Sequence, residues 1–325
     1  MKIRILPGLA IAAVSLLTAC QDVKFDLPAA SDSFNQSVTY NNKVDILWIM
    51  DNSSSMQQHQ SDLSKQIPDM MAKLNSLKMD YHMAVVTSSM GGTNPTGGHM
   101  IGSPRYFTSR TPNVTALMQA RLVVGQDGSD LERGLQSMET VLSSSYQANE
   151  GSGFLRNDAL LVVIALSDED DKSKSSSAVT YYTNFLDSVK APWVDGSRSW
   201  VFNFIGVLSI SSQCKTFNDY AEAGLAFIGL ADTSGGTKDS ICSSDLSSAV
   251  SNVRARIVQI ITDYKLSSKP ILSSIVVKIN GVTIPNSTTN GWSYLADKNA
   301  IRFYGSVIPA ADASITVDFK PAEAN

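Results

Sequence analysis

The chain has 325 residues, 43% of them apolar and 17% charged, which supplies a sizeable core and excludes intrinsic disorder. Its 26 Lys and Arg against 30 Asp and Glu give a formal charge of -4, so no positive field draws it to nucleic acid. Three cysteines are too few for a disulfide scaffold, and His59, His82 and His99 lie too far apart for zinc-ligand spacing.

Lys2 and Arg4 precede an apolar run from Ile5 to Leu17, broken by Pro7, Gly8 and Ser15. This is the charged and apolar pair of regions of a secretory signal, too short and asymmetric for a good spanning helix. The run ends Leu17-Thr18-Ala19-Cys20, which resembles the bacterial lipobox. That resemblance implies removal of residues 1–19, lipid modification of Cys20, and a membrane anchor of two or more acyl chains, which hold where one does not. Gln21, rather than Asp, resembles the sorting pattern for the bacterial outer membrane, without fixing the leaflet. Plain secretion is the alternative. Residues 20–43 read as the lipidated cysteine and a polar tether.

From Val44 the pattern alternates strand and helix. Val44 to Met50 is a strand, and Leu63, Ile67, Met70 and Leu74 follow at helical spacing. Tyr81 to Thr87 is a second strand. The loop to Met100, with Gly91, Gly92, Gly97, Gly98 and Pro95, is expected to rise on the same face as the first loop, and an edge strand is expected near Tyr106. Leu131, Leu135, Met138 and Leu142 predict a helix, and Leu160 to Leu166 a buried parallel strand. A helix through Tyr181, Phe185 and Val189, a strand over 200–208, and helices over 220–230 and 246–261 complete the series. The fold class is α/β: a doubly wound, mostly parallel sheet over residues 44–265.

After Tyr264 the grammar changes to short-period alternation. Ile275, Val277 and Ile279 alternate with polar neighbours and turn at Asn280-Gly281, a hairpin signal. Ile301 to Phe303 and Ile315 to Phe319 alternate as well, so 266–325 is a small all-β extension, a sandwich packed on the α/β domain. Cys214 and Cys242, in an exported chain, are expected to form a disulfide, with two buried thiols as the alternative.

Ligands of open α/β sheets bind past the carboxyl ends of the strands. Three such loops carry hard oxygen donors: Asp51-x-Ser53-x-Ser55, Ser129 ahead of the helix at Leu131, and Asp168 after the long apolar strand. Together they resemble the metal-ion-dependent adhesion site of von Willebrand factor A domains, over roughly 44–261. The run Ser129-Asp130-Leu131-Glu132-Arg133-Gly134-Leu135 resembles that family's Thr-x-Leu-x-x-Gly/Ala-Leu, with Ser in place of Thr. The resemblance implies a magnesium ion, with manganese or calcium as alternatives. It assigns the ion to the hydroxyls of Ser53, Ser55 and Ser129, with Asp51 and Asp168 acting partly through water. Neutral hydroxyls leave the ion under-neutralised, so a partner's Asp or Glu carboxylate completes the shell.

Other readings stand beside this one. Asp-x-Ser-x-Ser also suits a helix N-cap. Glu169, Asp170 and Asp171 read as a solvated acidic loop, or as ligands of a second cation, calcium by type. No Gly-x-x-x-x-Gly-Lys-Ser/Thr, His-Glu-x-x-His or Gly-x-Ser-x-Gly pattern occurs. A phosphoryl-accepting Asp51 lacks the second Asp that such sites place where Ser53 stands. The expected function is therefore an anchored adhesin or recognition module that binds a protein, less readily a polymer or glycan, and is not an enzyme. The alternative is a scaffolding envelope lipoprotein whose metal serves stability.

Overall fold

A computed structural model describes residues 30–35, 42–91, 95–129, 131–174, 177–193, 196–212, 214 and 222–322. The leader, Cys20 and Asp130 lie outside the described residues. The central sheet has six strands: β2 (Lys43–Met50), β3 (Asp80–Thr87), β4 (Tyr106–Thr108), β5 (Leu160–Ser167), β6 (Trp200–Gly206) and β7 (Lys238–Ser240). Their order is β4-β3-β2-β5-β6-β7, parallel throughout except for the edge strand β4. The strand order reverses between β2 and β5, which is where a doubly wound sheet opens a crevice at its carboxyl edge.

Both faces of this sheet are covered, which is why the central strands β2 and β5 are almost wholly apolar. Successive side chains of a strand point to opposite faces. Val44, Ile46, Trp48 and Met50 therefore pack with α1 (Gln57–Ser64), α2 (Ile67–Ser76), α3 (Val114–Leu122) and α8 (Ser247–Ile261). Leu47 and Ile49 face α4 (Gly134–Leu142), α6 (Ala178–Val189) and α7 (Leu225–Ser234); a one-turn helix, α5 (Ser144–Gln147), follows α4. Among the described residues no helix is long and apolar enough to cross a membrane.

Several expectations change in detail. The stretch holding Leu63 and Leu74 is two helices rather than one, because Pro68, without an N–H to donate, sits in the first turn of α2 and not in a helix interior. The helix expected from Leu131 begins at Gly134, leaving Leu131 46% exposed. The helix expected over 220–230 is found at Leu225–Ser234, with residues 220 and 221 outside the described ones. Strands β4 and β6 and helix α8 lie where the pattern placed them. Cys214 and Cys242 are joined by a disulfide with their Cα atoms 4.7 Å apart.

The extension is two antiparallel sheets around one core. One has the order β1-β13-β9-β10, from β1 (Ala30–Asn35), β9 (Val276–Ile279), β10 (Val282–Ile284) and β13 (Ser314–Phe319). The other is β11 (Trp292–Leu295), β12 (Ala300–Phe303) and β8 (Asp263–Lys265). Val277, Ile315, Val317 and Phe319 of the first meet Tyr264, Trp292, Ile301 and Phe303 of the second. Asn280 and Gly281 both take positive φ, 50° and 81°, as a two-residue hairpin turn requires. Part of the stretch read as tether is thus a strand: residues 30–35 pair with β13 along their whole length. Residues 263–265, placed with the α/β domain by the sequence, pair with β12. The extension sits on the α/β domain through Ala311 N–H, which donates to Leu77 O at 3.0 Å, the Lys78–Asp312 ion pair, and Ile308, packed on both cores.

Candidate metal centre

The donor loops gather at the carboxyl edge of the sheet: those of Asp51 and Asp168 follow β2 and β5, and the Ser129 segment joins α3 to α4. Asp51 is the first residue past β2, 1% exposed, and its N–H donates to Leu166 O at 3.0 Å. Its Oδ1 accepts the Ser53 N–H at 2.8 Å and its Oδ2 accepts the Ser167 hydroxyl at 2.7 Å. The carboxylate is therefore held by a turn within its own loop, while α1 begins beyond it at Gln57 with no side-chain cap. The N-cap reading of Asp-x-Ser-x-Ser fails on that geometry. Ser53 and Ser55 bring their hydroxyl oxygens within 3.3 Å of each other, the close spacing that two ligands of one small ion need.

Ser129 is brought alongside by the backbone. Gly128 N–H donates to Asn52 O at 2.8 Å and Ser129 N–H to the Ser89 hydroxyl at 3.0 Å. A Cβ on Gly128 would lie 2.6 Å from Asn52 atoms, so only glycine permits this approach. The Ser129 hydroxyl accepts the Leu131 N–H at 3.1 Å. Asp168, the first residue past β5, is buried. The loop after β3 also reaches the site, as its place after a parallel strand implied: Thr96 Oγ1 accepts from Asn52 Nδ2 at 3.2 Å.

Two contributors escape the sequence pattern. Gln60, fully buried on α1, donates from Nε2 to Asp51 O and to Gly125 O, each at 2.8 Å, and accepts the Val124 N–H at 2.9 Å on Oε1. It clamps the first loop to the one that carries Ser129. Glu132 is 1% exposed; the Ser88 hydroxyl and the Asp51 carboxyl lie beside its carboxyl group, and neither meets it in a well-aligned hydrogen bond. A buried side-chain acid directly after an exposed Leu131 reverses the polarity that the sequence suggests.

The electrostatics follow from burial. Desolvation raises Asp51 above the ordinary carboxylate range against the hydrogen bonds from Ser53 and Ser167. Desolvation, and next the Asp51 charge, push Glu132 up to about 9. Neither acid forms an ion pair with a described Lys or Arg. Two adjacent buried carboxyls without a basic partner, and unpartnered oxygens on Glu132, Ser88 and Asn52 in the same loops, are the donor set that a hard divalent cation satisfies. Among the described residues no three His, Cys, Asp or Glu side chains converge to hold an ion by themselves. Hydroxyls and water must therefore complete a shell here, as Ser53, Ser55 and Ser129 allow.

The rest of the acidic loop has another task. Asp171 is buried, with Oδ2 accepting the Leu135 N–H at 2.8 Å and Oδ1 the Ser173 N–H at 2.9 Å. Asp170 Oδ1 accepts the Ala226 N–H at 2.8 Å. Leu135 and Ala226 are each the second residue of a helix, α4 and α7, so both acids satisfy free amides at helix N-termini. Asp170 and Asp171 thus serve as caps of α7 and α4 rather than standing as a solvated loop.

No family model matches the chain, and no curated protein matches it. Among solved structures, a von Willebrand factor type A protein from Catenulispora acidiphila aligns over 94% of this chain and 68% of its own, at 13% identity and a TM-score of 0.39. Proximal thread matrix protein 1 from the mussel byssus aligns over 70% of this chain and 50% of its own, at 12% identity and a TM-score of 0.42. The same mussel protein with a zinc-occupied MIDAS motif aligns at 13% identity and 0.39, again over 50% of its length. The chain spans about half of the mussel protein. With scores this low, the fold assignment stands on the strand order and the coverage of both sheet faces.

Proposed function

We propose that the chain is a cation-dependent recognition module of the von Willebrand factor A type. Asp51, Ser53, Ser55, Ser129 and Asp168 hold one hard divalent ion, magnesium first and manganese or calcium as alternatives. The ion supplies an electrophilic point that accepts a carboxylate oxygen from an Asp or Glu on a protein partner. This chain's residues do the rest: Asp51 and Asp168 carry the charge, the three hydroxyls coordinate without neutralising it, and Ser167 and Gln60 fix the first loop. The observation that carries the reading is Asp51, buried past β2, gripped by Ser53 and Ser167, and in an ion pair with no Lys or Arg among the described residues. We place the module at the outer membrane, anchored through a lipidated Cys20.

The test is titration of the purified full chain, in detergent, with magnesium, manganese and calcium, for wild type and Asp51→Ala. Saturable binding by wild type, lost in Asp51→Ala with the unfolding midpoint retained, supports the reading. A pull-down from envelope extract in magnesium and in excess EDTA then reads the partner. Equal capture in both would sink the cation's part in recognition.

A second reading is favoured by the extension: Val282, on β10 at one end of its first sheet, is 65% exposed, and Val276, on the neighbouring β9, is 40% exposed, and an end strand is a place where a further strand can pair. A scaffold that assembles through this edge would lose its partner on Val282→Lys and keep it on Asp51→Ala.

A further inference from the structure

Glu132 falls on an unspecified position of the Ser129–Leu135 run, yet the fold treats it as part of the site. Its main chain is fixed on both sides: Lys172 N–H donates to Glu132 O at 2.7 Å and Arg133 N–H to Ser88 O at 2.9 Å. The side chain is consequently committed to the interior, where it is 1% exposed and neither carboxyl oxygen makes a well-aligned hydrogen bond. Its neighbours are Asp51, the Ser88 hydroxyl and Glu169, with no described Lys or Arg in ion-pair contact. A carboxylate placed so has no stable role in an apolar setting unless a positive charge meets it.

We propose that Glu132 is a further ligand of the cation, joining Asp51 beside the ion while Asp168 acts through water. The inference rests on the reading of Asp51 and the serines as a cation site. It changes what the site can do, because affinity for hard cations rises with the number of charged ligands. That brings the carboxylates around the divalent ion to three, Asp51, Asp168 and Glu132, so the ion is held before any partner arrives, and the partner's acid adds specificity more than retention.

The experiment is calorimetric titration of the full chain with manganese, comparing wild type, Asp51→Ala, Glu132→Gln and Glu132→Asp. Glu132→Gln keeps the shape and removes the charge; it is expected to bind manganese about tenfold or more weakly while its unfolding midpoint in chelator stays the same or rises. Glu132→Asp keeps the charge and is expected to bind more tightly than the Gln variant; it also serves if the Gln variant does not fold. Binding by Glu132→Gln within twofold of wild type, with Asp51→Ala inactive, overturns this inference and leaves the cation site standing. Wild type that binds no manganese, magnesium or calcium overturns both.

Discussion

Ser167 Oγ donates to Asp51 Oδ2 at 2.7 Å, which ties the last residue of β5 to the first residue beyond its parallel neighbour β2. Strand pairing supplies the alignment: Met50 is in register with Leu166, and the two chains leave the sheet side by side. The register of two apolar strands thus sets the orientation of a buried carboxylate.

Ser167→Ala is expected to leave the fold intact and weaken cation binding about tenfold, the usual scale for removing a group that orients a ligand. The lost bond also leaves a buried acceptor without its donor, which costs about 1–3 kcal/mol. Titration with manganese and chemical unfolding in chelator separate the two effects. An affinity within twofold of wild type would show that Ser53 alone positions Asp51.

Asp170→Ala and Asp171→Ala test the capping roles. Each removes an acceptor from an amide in the first turn of a helix, α7 for Asp170 and α4 for Asp171, and each is expected to lower stability by about 1–2 kcal/mol. Calorimetry on either variant is expected to give the same number of bound cations as wild type. A stoichiometry reduced by one in either variant would restore the second-ion reading.

How far the sequence reaches depends on how much of each element's environment is local. β2 and β5 are legible because eight consecutive residues meet helices on both faces, and nothing polar at the interior interrupts them except Asp45. The loop carrying Asp51, Ser53 and Ser55 is legible because all three donors lie within five residues. Glu132 is not: its burial depends on α4 starting three residues past Leu131, and periodicity alone places Leu131 inside and Glu132 outside. Strand β1 was hidden for a similar reason. Ala-Ser-Asp-Ser has no apolar alternation, and its strand conformation comes from pairing with β13, some 280 residues away in the chain. Asp170 and Asp171 read as solvated because their amide partners, Ala226 and Leu135, come from distant helices.

Asp45, at the opposite end of β2 from the site, gives the pH prediction. It is fully buried, and burial raises its pKa from 3.8 to about 6 despite the opposing Arg156, which donates Nε at 2.8 Å and its backbone N–H at 2.6 Å. His82 Nδ1 lies 3.8 Å away, its own pKa lowered by burial, and Lys190 and Asp80 complete the charged surroundings. Below pH 3.8 Asp45 is protonated folded and unfolded alike. Between 3.8 and about 6 the folded chain keeps a proton that the unfolded chain has released, so this group's contribution falls as pH rises and levels off above 6. The fall amounts to roughly 3 kcal/mol, at about 1.4 kcal/mol for each pH unit. Urea unfolding of wild type and Asp45→Asn, both in chelator, from pH 4 to 7 isolates it: wild type is expected to lose stability relative to the variant up to pH 6 and then run parallel. A constant difference across that range would mean that Arg156 keeps Asp45 ionised throughout, with the guanidinium outweighing burial.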